Sequence, residues 1–212
     1  MATITVSQQP IYGIAPGRNP VKLVGPNSDL FLVKNSLAQK WFKRNLGAND
    51  ATVPVAGELD LYFDAQGDAL YEMVAVDTNC DIYLWTIVNP DRVNMMGACF
   101  LNSVGTGMAC SAYDGNTYMW SITTWAYSAT GNAQSTPTSS GSNLWIHIEK
   151  RGTSFRYQQA VANGSNDYTK QSWGAFTAAG TYTFTGDRIG IMRAYNSTAA
   201  TFKFGAFYYI PA

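Results

Sequence analysis

A single histidine, His147, stands between Trp145 and Glu149 in "NLWIHIEK", and any Ser-His-Asp or Cys-His mechanism would have to use it. No nucleophile lies near it in sequence, and "GTGMAC" (105–110) lacks the pattern of a nucleophile elbow. Paired carboxylates come next, since retaining glycosidases need two about 5 Å apart. In "GELDLYFD" alternation puts Glu58, Asp60, Tyr62 and Asp64 on one side. Glu58 and Asp64 are then about 20 Å apart at strand rise, so Glu58 and Asp60 read as a solvated strand face. The three cysteines, Cys80, Cys99 and Cys110, have no metal-ligand spacing and read as buried free thiols. With one histidine, a tetrahedral zinc site is not expected. "YDGN" (113–116) and "NGSND" (163–167) carry oxygens of the kind calcium takes, but Asx turns explain them. The expectation is no catalysis, no metal and no cofactor.

Recognition chemistry is better supplied. Sugars stack their C–H faces on aromatic rings, while planar polar side chains take the hydroxyls. Trp145, His147, Arg156 and Gln158 fall on one face of a single hairpin, with Glu149 beside them. Tyr83 and Trp85, alternating with Ile82 and Leu84, extend that set, as does Trp120. Two readings stay open at this point: an exposed glycan-binding face, or a face covered by core, by the N-terminal arm or by a partner subunit.

The element that must position these residues is the hairpin 143–164. A two-residue link at Arg151 and Gly152 closes it, as a loop ending in glycine does. That turn sets Ile148 opposite Phe155, Ile146 opposite Tyr157, His147 opposite Arg156 and Trp145 opposite Gln158. One face is then apolar and the other polar-aromatic. From residue 57 onward similar runs recur: "GELDLYFDA", "DALYEMVAVD", "CDIYLWTIV", "MMGACFLN", "GMACSAY", "YMWSITTWAY", "TYTF", "DRIGIMRAY" and "TFKFGAFYYI". About ten short strands divided by Gly, Asn, Asp and Ser predict a two-sheet antiparallel jelly-roll sandwich. "SATGNAQSTPTSSGSN" (128–143) reads as a long polar loop.

Residues 1–56 read as an extended arm and docking segment, and 57–212 as the jelly-roll domain. Pro10, Pro16, Pro20 and Pro26 exclude a central strand there, since proline lacks a donor for the ladder. Short strand pieces are expected at "TITV" and "VKLV". "SLAQKWFKRNLG" is either a short helix capped by Ser36 or a strand at "KWFKRNL".

Charged residues make up 13 % of the chain, about half the usual share, and aromatics with Thr, Ser, Asn and Gly fill the space, a mix that suits pleated surfaces. The net charge is zero but unevenly placed. Residues 1–49 carry Arg18, Lys22, Lys34, Lys40, Lys43 and Arg44 against Asp29 alone, a net +5 on a body of −5. Such an arm predicts docking to an acidic surface. It is too short a basic run for a phosphate-tracking groove, so nucleic acid is not expected. "MATITVSQQP" shows neither a basic nor an apolar leader region, and no run is long enough to span a bilayer as a helix. Synthesis in the host cytosol without membrane insertion is the expectation.

The C-terminal third resembles the concanavalin A-like lectin/glucanase jelly rolls. The residues carrying the likeness are Trp145, Ile148, Gly152, Phe155 and Tyr157, then Ile189, Gly190 and Ile191, then Phe202, Phe204 and Phe207. The resemblance implies two antiparallel sheets, one concave, with carbohydrate bound on the concave face or its rim. Glucanases of that group carry an E-[IL]-D-x-x-E-like strand, and here Tyr62 and then Phe63 follow where the second catalytic glutamate would be. The combined expectation is a non-enzymatic, self-associating virion protein of a tailed bacteriophage, as a decoration, head-fibre or tail-accessory protein. It would dock on capsid or tail proteins through its arm and display a lectin-like domain to host-surface glycans. A free carbohydrate-binding protein is the alternative, and a jelly-roll glycoside hydrolase the third reading.

Overall fold

The computed structural model describes residues 21–24, 41–45, 51–52, 59–65, 67–73, 78–86, 96–113, 116–134, 144–165, 167–177, 180–183, 185–193 and 199–211. Alternating runs become strands: β1 Val21–Val24, β2 Trp41–Arg44, β3 Ala51–Thr52, β4 Leu59–Phe63, β5 Ala69–Met73, β6 Asn79–Thr86 and β7 Met96–Leu101. They continue as β8 Gly107–Tyr113, β9 Asn116–Thr123, β10 Ala126–Gln134, β11 Leu144–Arg151, β12 Ser154–Val161, β13 Gly180–Thr181, β14 Arg188–Arg193 and β15 Ala200–Pro211. One three-residue 3-10 turn, Tyr168–Lys170, interrupts this all-β order.

Two antiparallel sheets result. The eight-stranded sheet runs β13-β12-β11-β6-β15-β4-β3, with β1 also on β15, and the seven-stranded sheet runs β10-β9-β8-β7-β14-β5-β2. Leu59, Leu61, Phe63, Ile82, Leu84, Ile146, Ile148, Phe155, Tyr157 and Phe207 of the first sheet meet Leu70, Ala98, Phe100, Ile189 and Ile191 of the second. Leu59, Leu61, Phe63, Ile82, Leu84, Ile146, Ile148, Phe155 and Tyr157 are the alternate positions of their runs, and each buried Leu, Ile or Phe contributes about 1.5–3 kcal/mol by leaving water. The fold class is therefore as expected, a two-sheet antiparallel sandwich.

The hairpin register differs from the expected one. Its two-residue turn is Gly152–Thr153, so Ile148 faces Tyr157, His147 faces Gln158, Glu149 faces Arg156 and Trp145 faces Ala160. Gly152 has φ +59 at the first central position, the place of glycine in a type II′ turn. Every pairing moves by two residues, and because side chains alternate with period two, no residue changes face. The inner face is not apolar throughout: Lys150 and Gln159 are buried on it, and Lys150 Nζ donates to the carbonyl of Thr78 at 2.9 Å.

"YMWSITTWAY" is not one strand but a hairpin, β9 and β10, turning at Thr124 and Trp125. Both residues have positive φ, 54° and 63°, a type I′ geometry that sequence rules reserve for Asn and Gly. β10 also takes in residues 128–134 of the expected polar loop, while 135–143 lie outside the described residues. In the N-terminal segment, "VKLV" is a strand on β15, and residues 41–44 are strand rather than helix, paired with β5. β3 pairs β4, so residues from the expected arm enter both sheets. "TITV" lies outside the described residues.

Candidate functional site

The register extends the hairpin's polar face across four strands. Ala206, Trp85, Trp145 and Ala160 form one row, Tyr208, Tyr83, His147 and Gln158 the next, and Ile210, Asp81, Glu149 and Arg156 the third. This is the outer face of the eight-stranded sheet. The chain then folds its own segment over it: Ala162, Tyr168 and Trp173 pack on Trp145, Ala160, Ala206 and Tyr208. Tyr168 stacks on Tyr83 at 4.1 Å, and Trp173 and Phe176 meet His147 edge-on. Gln171 closes the segment, its amide donating to Asn163 Oδ1 and to the carbonyls of Ser165 and Asp167. Gly174 N–H, bonded to Gln159 O, ties it to the sheet.

Beneath that cover the polar groups satisfy one another. The Gln158 amide faces His147 Nδ1 at 2.8 Å, which leaves the proton on Nε2, donated to Asp81 Oδ1 at 2.8 Å. Asp81 also takes Arg151 at 3.0 Å, Arg151 bridges to Glu149 at 3.2 Å, and Arg156 Nε donates to Glu149 Oε1. Arg156 lies over the Phe176 ring at 4.0 Å. Burial pushes the Asp81 carboxyl up, but the bonds and charges of His147 and Arg151 outweigh it and hold Asp81 below the ordinary aspartate value. Burial and the neighbouring Asp81 raise the Tyr83 phenol, and burial raises Tyr208 to about 12.

The glycan-face expectation is corrected for two residues. Trp145 is fully buried and His147 is 5 % exposed, so neither ring offers a face to a ligand. Tyr83, Trp85, Arg156 and Gln158 are half-buried, with Arg156 and Gln158 engaged as above. The cover is the segment that follows the hairpin, which alternation could not reveal because its contacts come from a stretch with no strand period.

Trp120 lies in β9, in the other sheet, level with Ala109, Cys99, Gly190 and Tyr71 across five strands. On the outer face there, Ala69, Cys99, Leu101, Ile122 and Met192 are buried, with half-buried Tyr71 and Trp125 packed on them. Trp125 reaches this face because its turn curls back. Its N–H donates to Gly105 O at 2.9 Å, and its ring lies where a Cβ on Gly105 would sit, 2.3 Å away. Gly105, at φ +73, is therefore required for both backbone and space.

A row of rings and guanidinium groups results. Arg44 lies 4.8 Å from the Trp125 ring and donates to Gly67 O at 2.7 Å. Tyr71 is 5.5 Å from Trp125, and Arg188 is 5.4 Å from Tyr71 and donates to Asp187 at 2.6 Å. Among the described residues Arg188 Nε is buried without a partner. Sequence reasoning missed Tyr71, Trp125, Arg188 and Asp187. The two consecutive Thr-Trp positions gave no turn signal, and their joining depends on strands far apart in the chain.

Of the expected docking set, Arg44 is half-buried, lies against the Trp125 ring and donates to Gly67 O. Lys22 and Lys43 sit in β1 and β2, and Arg18, Lys34 and Lys40 lie outside the described residues. Asp60 pairs with Lys203 at 3.8 Å, with Tyr62 beside it exposed. Among the described residues no group of three or more His, Cys, Asp or Glu could hold a metal ion. Cys80 and Cys99 are buried and not in disulfides, and burial, only partly offset by a bond to Gly190, raises the Cys99 thiol. No helix among the described residues is long and apolar enough to cross a membrane.

No family model matches the chain, and no curated protein sequence matches it. Solved structures do. The exoplasmic/lumenal domain of VIP36, bound to Ca2+ and Man3GlcNAc, superposes with a TM-score of 0.58 at 7 % identity, over 90 % of this chain and 88 % of that one. Protein SO2946 of Shewanella oneidensis MR-1, of unknown function, superposes at 0.50 and 9 % identity over 91 % and 78 %. The GH43 protein BlXynB of Bacillus licheniformis superposes at 0.58 and 14 % identity over 83 % of this chain, which spans only 37 % of that enzyme. What these superpositions show is a shared fold alone, over most of the VIP36 domain and over a portion of the GH43 protein.

Proposed function

We propose that the chain is a non-catalytic carbohydrate-binding protein that receives sugar at Trp125 and Tyr71 of the seven-stranded sheet. The observation that carries this is the pair of half-buried rings 5.5 Å apart, flanked by Arg44 and Arg188. Rings supply stacking surface, and a guanidinium has five N–H donors, most of them not engaged by Gly67 or Asp187. The lectin-like sandwich supports the class of function without selecting the sugar. The non-catalytic part is supported by Tyr62 and Phe63 in the place of a second carboxylate and by a histidine sealed under its own cover. A glycan array with the whole chain tests the reading: binding lost in Trp125→Ala and kept in Tyr62→Phe, a change at an exposed ring away from the site, is the expected result. Binding untouched by Trp125→Ala removes the site, and polysaccharide hydrolysis lost in Asp60→Asn would make the chain an enzyme.

A particle-docking role goes with this proposal, carried by the net +5 of residues 1–49. Replacing Arg18, Lys22, Lys34, Lys40 and Lys43 together by glutamine should abolish recovery of the chain in purified phage particles by mass spectrometry. Its absence from such particles leaves the free carbohydrate-binding reading, and sedimentation tests the self-association expected with docking.

A further inference from the structure

The outer face of the eight-stranded sheet holds two indole N–H groups that no acceptor receives. Trp85 and Trp145 are direct neighbours in the β6–β11 register and stack at 5.8 Å with planes 11° apart. Among the described residues, Nε1 of each is buried with no hydrogen-bond partner. Buried donors are nearly always satisfied, so two on one stacked pair call for an explanation.

The surroundings narrow the chemistry. Trp85 lies on bare backbone, since a Cβ on Gly205 would meet its ring at 2.2 Å, at the bulge between Phe204 and Ala206. Ala160, Ala162 and Ala206 belong to the same cluster, roofed by Tyr168 and Trp173. The charged groups of this face stand at its other end, four residues and about 13 Å along β11. An anion brought to the tryptophans would lose its hydration without gaining a cation. A neutral carbonyl oxygen loses less on leaving water than an anion does, and its two lone pairs can take two N–H donors in return.

We propose that Trp85 and Trp145 form a site for an acetamido group. Its carbonyl oxygen accepts from both indoles and its methyl lies among the alanines. Trp145 is fully buried, so entry requires the Tyr168–Trp173 cover to lift, and the site is cryptic until it does. It stands on the opposite sheet from Trp125 and does not rest on the carbohydrate reading. The group can come from an N-acetylated sugar or from another acetylated amide.

Indole NMR of the 15N-labelled whole chain tests this, with N-acetylglucosamine, N-acetylglycinamide, glucose and acetate as probes. Trp85→Phe and Trp145→Phe, which keep a ring and remove one donor each, assign the two resonances, and thermal melts confirm that both variants fold. The expected result is a saturable shift of both resonances with N-acetylglucosamine, none with glucose or acetate, and at least tenfold weaker binding in either variant. An equal shift with N-acetylglycinamide supports recognition of the acetamido group from any source, and a shift with the sugar alone supports the sugar source. Silence of both resonances toward every probe overturns the proposal. So does a long-lived water held by the two indoles throughout the titration, or a response confined to Trp125, which would support the carbohydrate reading alone.

Discussion

The two outer faces are built from the same kinds of residue and reach different states. On the eight-stranded sheet, acids and bases on neighbouring strands neutralise one another, from Arg156 through Glu149, Arg151 and Asp81 to His147 and Gln158. A continuous downstream segment then seals them. On the seven-stranded sheet the arginines lie against rings, Arg44 on Trp125 and Arg188 on Tyr71, and among the described residues Arg188 Nε is buried without a partner. The two faces therefore differ in whether their charged groups pair with one another and in what covers them, and a count of tryptophans and arginines on a face does not reveal it.

The sharpest way to break this contrast is Trp145→Ala. A fully buried ring should cost about 3–5 kcal/mol of folding stability, measured by chemical denaturation, and Ile148→Ala in the inter-sheet core should cost a comparable ~2–5 kcal/mol. A loss below about 1 kcal/mol for Trp145 would mean that the cover is not closed in solution. Trp125→Ala should behave oppositely, with a smaller loss of stability than Trp145→Ala and glycan affinity weaker by about 1–3 kcal/mol, as for a binding hot spot.

Acid sharpens the comparison further. Asp81 titrates below its ordinary 3.8 in the folded chain, so its network adds stability that is fully present above the unfolded value. That stability is lost as pH falls through the lower folded value. Asp81→Asn should lower stability at neutral pH and flatten the acid limb, measured by chemical denaturation across that pH range. The smallest effect is expected at the strained turn. Thr124→Asn, which tolerates φ near +54° better, should raise stability by about 0.5–1 kcal/mol without moving glycan binding. A fall in stability would show that the Thr124 side chain outweighs its backbone strain.

Strand identity and parity were legible from the sequence because both are local. Alternation at Leu59–Phe63, Asn79–Thr86 and Leu144–Val161 places Leu61, Ile82 and Ile148 inward, and even a two-residue error in the hairpin register leaves those faces unchanged. The arithmetic of chemistry was legible too: one histidine, unspaced cysteines and Tyr62 after Asp60. Turn chemistry failed where the chain disobeys its usual preferences, at Thr124–Trp125, because tertiary contacts with Gly105 and Arg44 hold a conformation that neither residue favours alone.

The sequence by itself determined the two-sheet class, the inward set and the composition of each outer face, since pleat periodicity needs only neighbours along the chain. Only the tertiary structure decided which face is closed and which stays half open. That choice depends on residues 163–165 and 167–177 folding back over β6, β11 and β12, and on Trp125 curling onto Tyr71. Such contacts between distant parts of the chain are set by packing and hydrogen-bond satisfaction, and they leave no period in the sequence.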